Sequence, residues 1–142
     1  METPKGKVLF LCTGNSVRSQ MAEAFLRKYA GDRFEVFSAG LEPGVVHPYT
    51  IRVMNEVGVD MSKHRSKSLS EYMGKMHFGY LITVCDRAEK KCPIFPGMGI
   101  RMHWPFEDPA KEEGSEAEKL TKFRQVRDLI DLRVREWLLI GG

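Results

Sequence analysis

The 142-residue chain has little of the features that mark whole classes of protein. It has only three cysteines, Cys12, Cys85 and Cys92. An odd set with no recognisable export signal argues against a disulfide framework and for thiol chemistry. No apolar run approaches the roughly 18 residues of a membrane span, so no membrane role is expected. Charge of one sign is nearly balanced, with 22 Lys and Arg against 19 Asp and Glu and a net charge of +3. The cations are scattered rather than striped, which is not the footprint of a nucleic-acid binder; a small anionic substrate accounts for the mild basicity equally well. No internal repeat or low-complexity segment occurs. Met1 to Lys7 lacks signal-peptide anatomy, so a cytoplasmic location is expected. With 42% hydrophobic and 29% charged residues, the chain reads as one soluble globular domain over residues 1–142. Nothing in that balance marks an obligate interface, and a monomer is expected.

What is present centres on Cys12-Thr13-Gly14-Asn15-Ser16-Val17-Arg18-Ser19, which follows the apolar run Val8 to Leu11 and leads into Met21-Ala22-Glu23-Ala24-Phe25-Leu26. That is strand, loop and helix. Such a loop curls so that backbone N–H groups point inward, and the following helix adds the positive end of its dipole. The enclosed space suits a tetrahedral oxyanion, with Cys12 at its floor as a nucleophile favoured by the same positive potential. Arg18 supplies a planar fork for two oxygens of the anion. Taken singly, Cys12 reads as a buried strand-end cysteine and Arg18 as a solvated side chain; their combination with Gly14 and Ser19 carries the signal.

The rest of the chain alternates strand and helix. Strands are predicted over Lys5–Leu11, Phe34–Ala39, Phe78–Val84 and Ile100–Trp104, each apolar or alternating and closed by turn residues. Helices are predicted over Val17–Ala30, from Pro48 with Gly58 past its end, and over Ser115–Ile140, with Tyr29 and Leu129 counted on their buried faces, and a short helix near Glu71 and Tyr72. Alternation of this kind implies parallel βαβ crossovers and a three-layer α/β/α domain with a four-stranded parallel sheet. Cys85 and Pro105–Pro109 then follow strands at the same sheet edge as Cys12, where open α/β sheets place their ligands.

Cys85 and Cys92 stand seven apart in Cys85-Asp86-Arg87-Ala88-Glu89-Lys90-Lys91-Cys92-Pro93. On a helix they share a face about 10.5 Å apart along the axis, whereas a disulfide needs Cα atoms within roughly 4.4–6.8 Å. They bond only if the segment unwinds, which makes it a redox switch rather than a staple. Two unrelated cysteines are the plainer alternative, and three thiols without further pairing make a weak zinc site.

Cys12, Arg18 and Ser19, together with Cys85, Cys92-Pro93 and His103-Trp104-Pro105-Phe106-Glu107-Asp108-Pro109-Ala110, resemble the thioredoxin-coupled arsenate reductases of the low-molecular-weight protein tyrosine phosphatase superfamily over nearly the whole chain. The phosphatases themselves share the loop and Asp-Pro but generally lack the paired cysteines, and they place tyrosines where this chain has Ala110-Lys111. The resemblance implies that Thr13 to Ser19 bind arsenate, with Arg18 clamping it, Cys12 attacking arsenic and Asp108 protonating the departing oxygen. Ser19 would hydrogen-bond the thiolate, and Asn15 would hold the loop's shape. Cys85 then attacks Cys12, arsenite leaves, and Cys92 attacks Cys85 to leave a Cys85–Cys92 disulfide for thioredoxin or a similar dithiol to reduce. No metal or organic cofactor is implied, and the biological role would be arsenic detoxification.

Val17 stands where many relatives carry a second loop cysteine, which leaves Cys85 as the resolving thiol. Some relatives bind potassium through residues resembling Asn15, Glu23, Ser38 and a later Thr-Ser-Asp. Here that stretch is Arg65-Ser66-Lys67, and an ammonium replaces a carboxylate that would help hold the cation. His103 reads as a strand-end structural residue, and His47, His64 and His77 receive no role. Two other functions fit the loop: a tyrosine phosphatase in which Cys85 protects Cys12 from oxidation, and a non-enzymatic anion-binding or redox-sensing module, against which Asp108-Pro109 speaks.

Overall fold

The computed structural model describes residues 6–92 and 98–140, so Lys5 of the first expected strand and Pro93 of the second cysteine signature lie outside the described residues. Strand β1 (Gly6–Cys12) carries Val8, Leu9, Phe10 and Leu11 at zero exposure, as a strand covered on both faces requires. It pairs in parallel with β2 (Phe34–Gly40) on one side and β3 (Phe78–Thr83) on the other; β3 pairs with β4 (Met98–His103), giving the order β2-β1-β3-β4.

Helices α1 (Arg18–Ala30), α2 (Pro48–Glu56), α3 (Asp86–Lys91) and α4 (Glu116–Leu139) complete the α/β/α domain, with short 3₁₀ turns at Leu69–Glu71 and Pro109–Lys111. The starts of α2 and α4 follow their sequence. Ser115 and Glu118 form a capping box on α4, and the His47 ring accepts from Tyr49 N–H ahead of Pro48 on α2. Trp137 of α4 packs against Phe34 and Tyr80 at ring distances of 5.5 and 5.1 Å, anchoring the helix across the sheet.

Many boundaries differ from expectation by a residue or two: β1 and β2 run on to Cys12 and Gly40, β4 ends at His103, and α4 runs Glu116–Leu139 with Ser115 as its cap. Val17 caps α1 instead of opening it, α2 ends at Glu56, β3 ends at Thr83, and β4 starts two residues early at Met98. Tyr29 and Leu129 are 39% and 57% exposed, not buried: each sits at the margin of an apolar stripe, where spacing alone does not fix the side that faces the sheet.

The topology places the chemistry. The chain passes from β1 outward to β2 and then returns to the other side of β1 as β3, so the connections diverge between β1 and β3. A crevice opens at the carboxyl ends of such a pair. Cys12 is the last residue of β1, and Cys85 follows β3 by two residues.

Candidate active site

The loop from Cys12 to Ser19 turns its carbonyls outward. Cys12 O accepts from Leu41 N–H at 3.2 Å, Thr13 O from Glu42 N–H at 2.8 Å, Gly14 O from Gly44 N–H at 3.2 Å and Ser16 O from His47 N–H at 3.1 Å. Asn15 O accepts from Gln20 Nε2 at 3.1 Å. With five successive carbonyls engaged on the outside, the peptide dipoles leave their N–H groups toward the enclosed side, as an oxyanion cradle needs. Val17 offers no capping side chain to the first turn of α1, so that turn's donors stay uncapped by any side chain. Gly40 lets β2 approach the loop from below: a Cβ there would meet Thr13 O at 2.8 Å and Asn15 N at 2.9 Å.

Asn15 is fully buried with a left-handed φ of 50°, a conformation asparagine tolerates better than most residues. Its amide is oriented by a backbone donor, because Lys67 N–H reaches Oδ1 at 2.8 Å. Nδ2 therefore donates, to Ser19 Oγ at 2.8 Å and to Ser38 Oγ at 2.9 Å. Ser38 in turn donates to Glu23. Ser19 Oγ, already an acceptor from Asn15, has its own proton left for Cys12 Sγ at 2.8 Å. Asn15 N–H also points at that sulfur, at 3.1 Å. Two hydrogen-bond donors thus converge on the Cys12 sulfur.

Two contributors to this network went unassigned in the sequence. Gln20 spends its Nε2 on Asn15 Oδ1 and on the carbonyls of Asn15 and Arg65, and its Oε1 accepts from His64 Nδ1 at 2.9 Å. Burial pushes the His64 pKa down, favouring the neutral ring. Their only sequence signal is a polar residue at an otherwise apolar helix position, since the partner lies 44 residues away.

Lys67 decides the cation question. Its Nζ lies 3.5 Å from Glu23 Oε1, 3.4 Å from Ser38 Oγ and 2.9 Å from Arg65 O, and Glu23 also pairs with Arg27 at 2.7 Å. Burial draws the Lys67 pKa down while Glu23 opposes it. An ammonium lies beside Glu23 and Ser38, where a potassium ion would need the carboxylate, so these residues do not fit a potassium ion.

Above the loop a cavity of about 600 Å³ is lined by Thr13, Arg18, Cys85, Phe106 and Asp108, with Arg87 at its rim. Arg18 Nη1 donates to Phe106 O at 3.1 Å, and its Nη2 lies 3.6 Å from Asp108 Oδ2. Cation and acid thus face the same space from α1 and from the segment after β4. Asp108 Oδ1 caps the following turn through Ala110 N–H at 3.0 Å, which sets the direction of its carboxyl. Cys85 Sγ lies 3.4 Å from Thr13 Oγ1 and caps α3 by accepting from Ala88 N–H at 3.4 Å. Cys92 is elsewhere. It caps the other end of α3, 8% exposed and away from the cavity lining, and all three cysteines are thiols. The cavity lining therefore joins Thr13, Arg18, Cys85 and Asp108; Cys12 is buried at the end of β1, next to Thr13 and outside that lining, and Cys92 is separated from Cys85 by one short helix.

The model of the low molecular weight phosphotyrosine protein phosphatase family matches residues 7–139. The chain belongs to that family. An arsenate reductase of Halalkalibacterium halodurans is 42% identical over 137 residues, 96% of this chain and 98% of its own length. A solved arsenate reductase in the phosphate-binding state superposes with a TM-score of 0.81 at 32% identity, covering 96% of this chain and 99% of that one. A thioredoxin-dependent arsenate reductase of Corynebacterium glutamicum gives a TM-score of 0.72 at 30% identity, over 97% of this chain and 62% of its own. Within the family the similarity thus runs to arsenate reductases along almost the entire chain. It agrees with the three thiols, since hydrolysis of a phosphate ester needs only Cys12.

Proposed function

We propose that the protein reduces arsenate to arsenite through Cys12, Cys85 and Cys92, with electrons from thioredoxin or a similar dithiol protein. The observation that carries this reading is Cys85 on the wall of the oxyanion cavity, its sulfur 3.4 Å from the Thr13 hydroxyl. Ester hydrolysis itself does not require a second thiol there.

Arsenate sits against the loop amides from Thr13 to Ser19, with Arg18 spanning two of its oxygens. The Cys12 thiolate, held by Ser19 and Asn15 N–H, attacks arsenic, and Asp108 gives its proton to the departing oxygen. Cys85 then attacks Cys12 sulfur: the Cys12–Cys85 bond forms, the sulfur–arsenic bond breaks, and arsenic leaves with the electron pair as arsenite. Cys92 attacks Cys85 and releases Cys12 as a thiolate. The Cys85–Cys92 disulfide passes to the dithiol partner, which is oxidised as the chain is reduced. A reducing cytoplasm and a monomeric enzyme suit this cycle.

The test supplies arsenate, thioredoxin, thioredoxin reductase and NADPH to wild type and to Cys92→Ser. NADPH consumption by the wild type alone supports the relay. A wild type that consumes none, or a variant that turns over as well, overturns it.

A further inference from the structure

The thiol that the cavity does not contain has an electrostatic partner of its own. Arg101 is the fourth residue of β4 and stands opposite Leu81 of β3. Its Nη2 donates to the backbone carbonyl of Glu89 at 2.6 Å and lies 3.5 Å from Glu89 Oε2. Both contacts fall in the last turn of α3, just before Cys92. Arg101 Nε is buried and has no hydrogen-bond partner among the described residues. A buried donor without an acceptor is costly, and such a group in a native fold calls for an explanation.

Burial pushes the Cys92 thiol up, Arg101 draws it down, and Glu89 pushes it up. A thiol that attacks a disulfide does so as the thiolate. Within the three-thiol reading, we propose that Arg101 is a positioning residue for the second exchange: it activates Cys92 electrostatically while holding the last turn of α3 through Glu89. In that step Cys92 thiolate attacks Cys85 sulfur, the Cys85–Cys92 bond forms, the Cys12–Cys85 bond breaks, and Cys12 leaves as a thiolate on Ser19 and Asn15 N–H. Cys92's proton goes to solvent, and no external electron enters. Arg101 holds the Glu89 carbonyl and carboxylate in the turn that ends at Cys92, which keeps its positive charge beside that end of α3.

The helix is also held elsewhere. Glu89 accepts from Thr83 Oγ1, His103 Nδ1 lies 2.8 Å from that hydroxyl, and His103 Nε2 lies 3.1 Å from Asp86 Oδ1. These contacts restrain α3 without Arg101, so losing the cation need not unfold the helix.

The experiment is a single turnover of arsenate without thioredoxin, quenched with acid and alkylated, with the Cys12–Cys85 and Cys85–Cys92 disulfides resolved by peptide mass across a pH series. In Arg101→Met, arsenite release keeps its wild-type rate, but conversion of the first disulfide to the second slows several-fold near neutral pH. Its pH midpoint moves up, and Arg101→Lys restores much of the rate. Glu89→Gln, which removes the opposing charge and keeps Arg101, moves the midpoint down. Equal conversion in wild type and Arg101→Met overturns the proposal, as does slowing in both variants with an unmoved midpoint, which marks a merely structural contact. A wild type that never forms the Cys85–Cys92 disulfide overturns the relay itself, an outcome separate from either.

Discussion

Ser19 Oγ lies 2.8 Å from Cys12 Sγ, and the hydrogen bonds around Ser19 aim its proton at the sulfur. The direction is inherited: Lys67 N–H orients the Asn15 amide, the amide donates to Ser19, and Ser19 is left to donate onward. Hydrogen bonds to charged groups contribute about 1.5–3 kcal/mol. Ser19→Ala is therefore expected to lower kcat/KM roughly 10- to 150-fold. Phosphate affinity, measured by calorimetry, stays close to wild type because the cradle amides are untouched.

Asp108 and Arg18 face each other across 3.6 Å, and the proposed mechanism gives them different work. Asp108→Asn keeps the shape and the cap to Ala110 while removing the transferable proton, so kcat should fall about 10²- to 10⁴-fold with little change in oxyanion binding. Arg18→Lys loses the planar fork and should weaken phosphate binding as well. Rapid-quench turnover combined with phosphate titration separates the two.

Gly40 is where the loop rests on β2. Its alanine variant places a methyl 2.8 Å from Thr13 O, a backbone atom that moves only if the loop moves. Gly40→Ala is expected to abolish detectable oxyanion binding and to lower stability by about 1–3 kcal/mol in denaturant titration. A variant that binds phosphate normally would show that the loop has slack.

Lys67 predicts indifference to alkali cations. Replacing potassium by sodium at constant ionic strength should leave turnover unchanged, since an ammonium already lies by Glu23 and Ser38. A clear potassium activation would mean that a cation binds despite Lys67.

Glu56 sets an acid limit for the α2–α4 contact. Hydrogen bonds from Arg124, then Arg127, hold its pKa near 2 against an ordinary 4.5. A depressed carboxyl contributes fully above the unfolded value, and the contribution fades as pH falls from about 4.5 toward 2. Denaturant midpoints should drop across that window, and Glu56→Gln should flatten the drop.

The legible parts were those written locally. Strand β1 shows as an unbroken apolar run, α4 as a stripe from Leu120 to Trp137 ahead of which Ser115 caps, and the loop as a motif of consecutive residues. The start of β4 at Met98-Gly99 was missed because glycine interrupts the strand pattern and the strand pairs on one side only. Gln20 and His64 were missed for a different reason: they touch the loop through bonds that span dozens of residues, which leave no periodicity behind. The distance between Cys92 and the cavity was legible only as a helical rise, and α3 makes it a fact of the fold.

Helix α3 has a thermodynamic consequence. Six residues separate its two capping cysteines, and Ala88 at its middle is fully buried. A helical path of that length spans about 10.5 Å, so a Cys85–Cys92 disulfide has to dismantle the helix and bring Ala88 out of its packing. By linkage, the free energy of folding α3 is then part of the driving force for reducing that bond. In the proposed relay the helix would work as a wound spring, let down when arsenate is reduced and rewound when the partner dithiol is oxidised. Variants that tighten α3 should make the protein harder to oxidise and its disulfide easier to reduce, by the same factor.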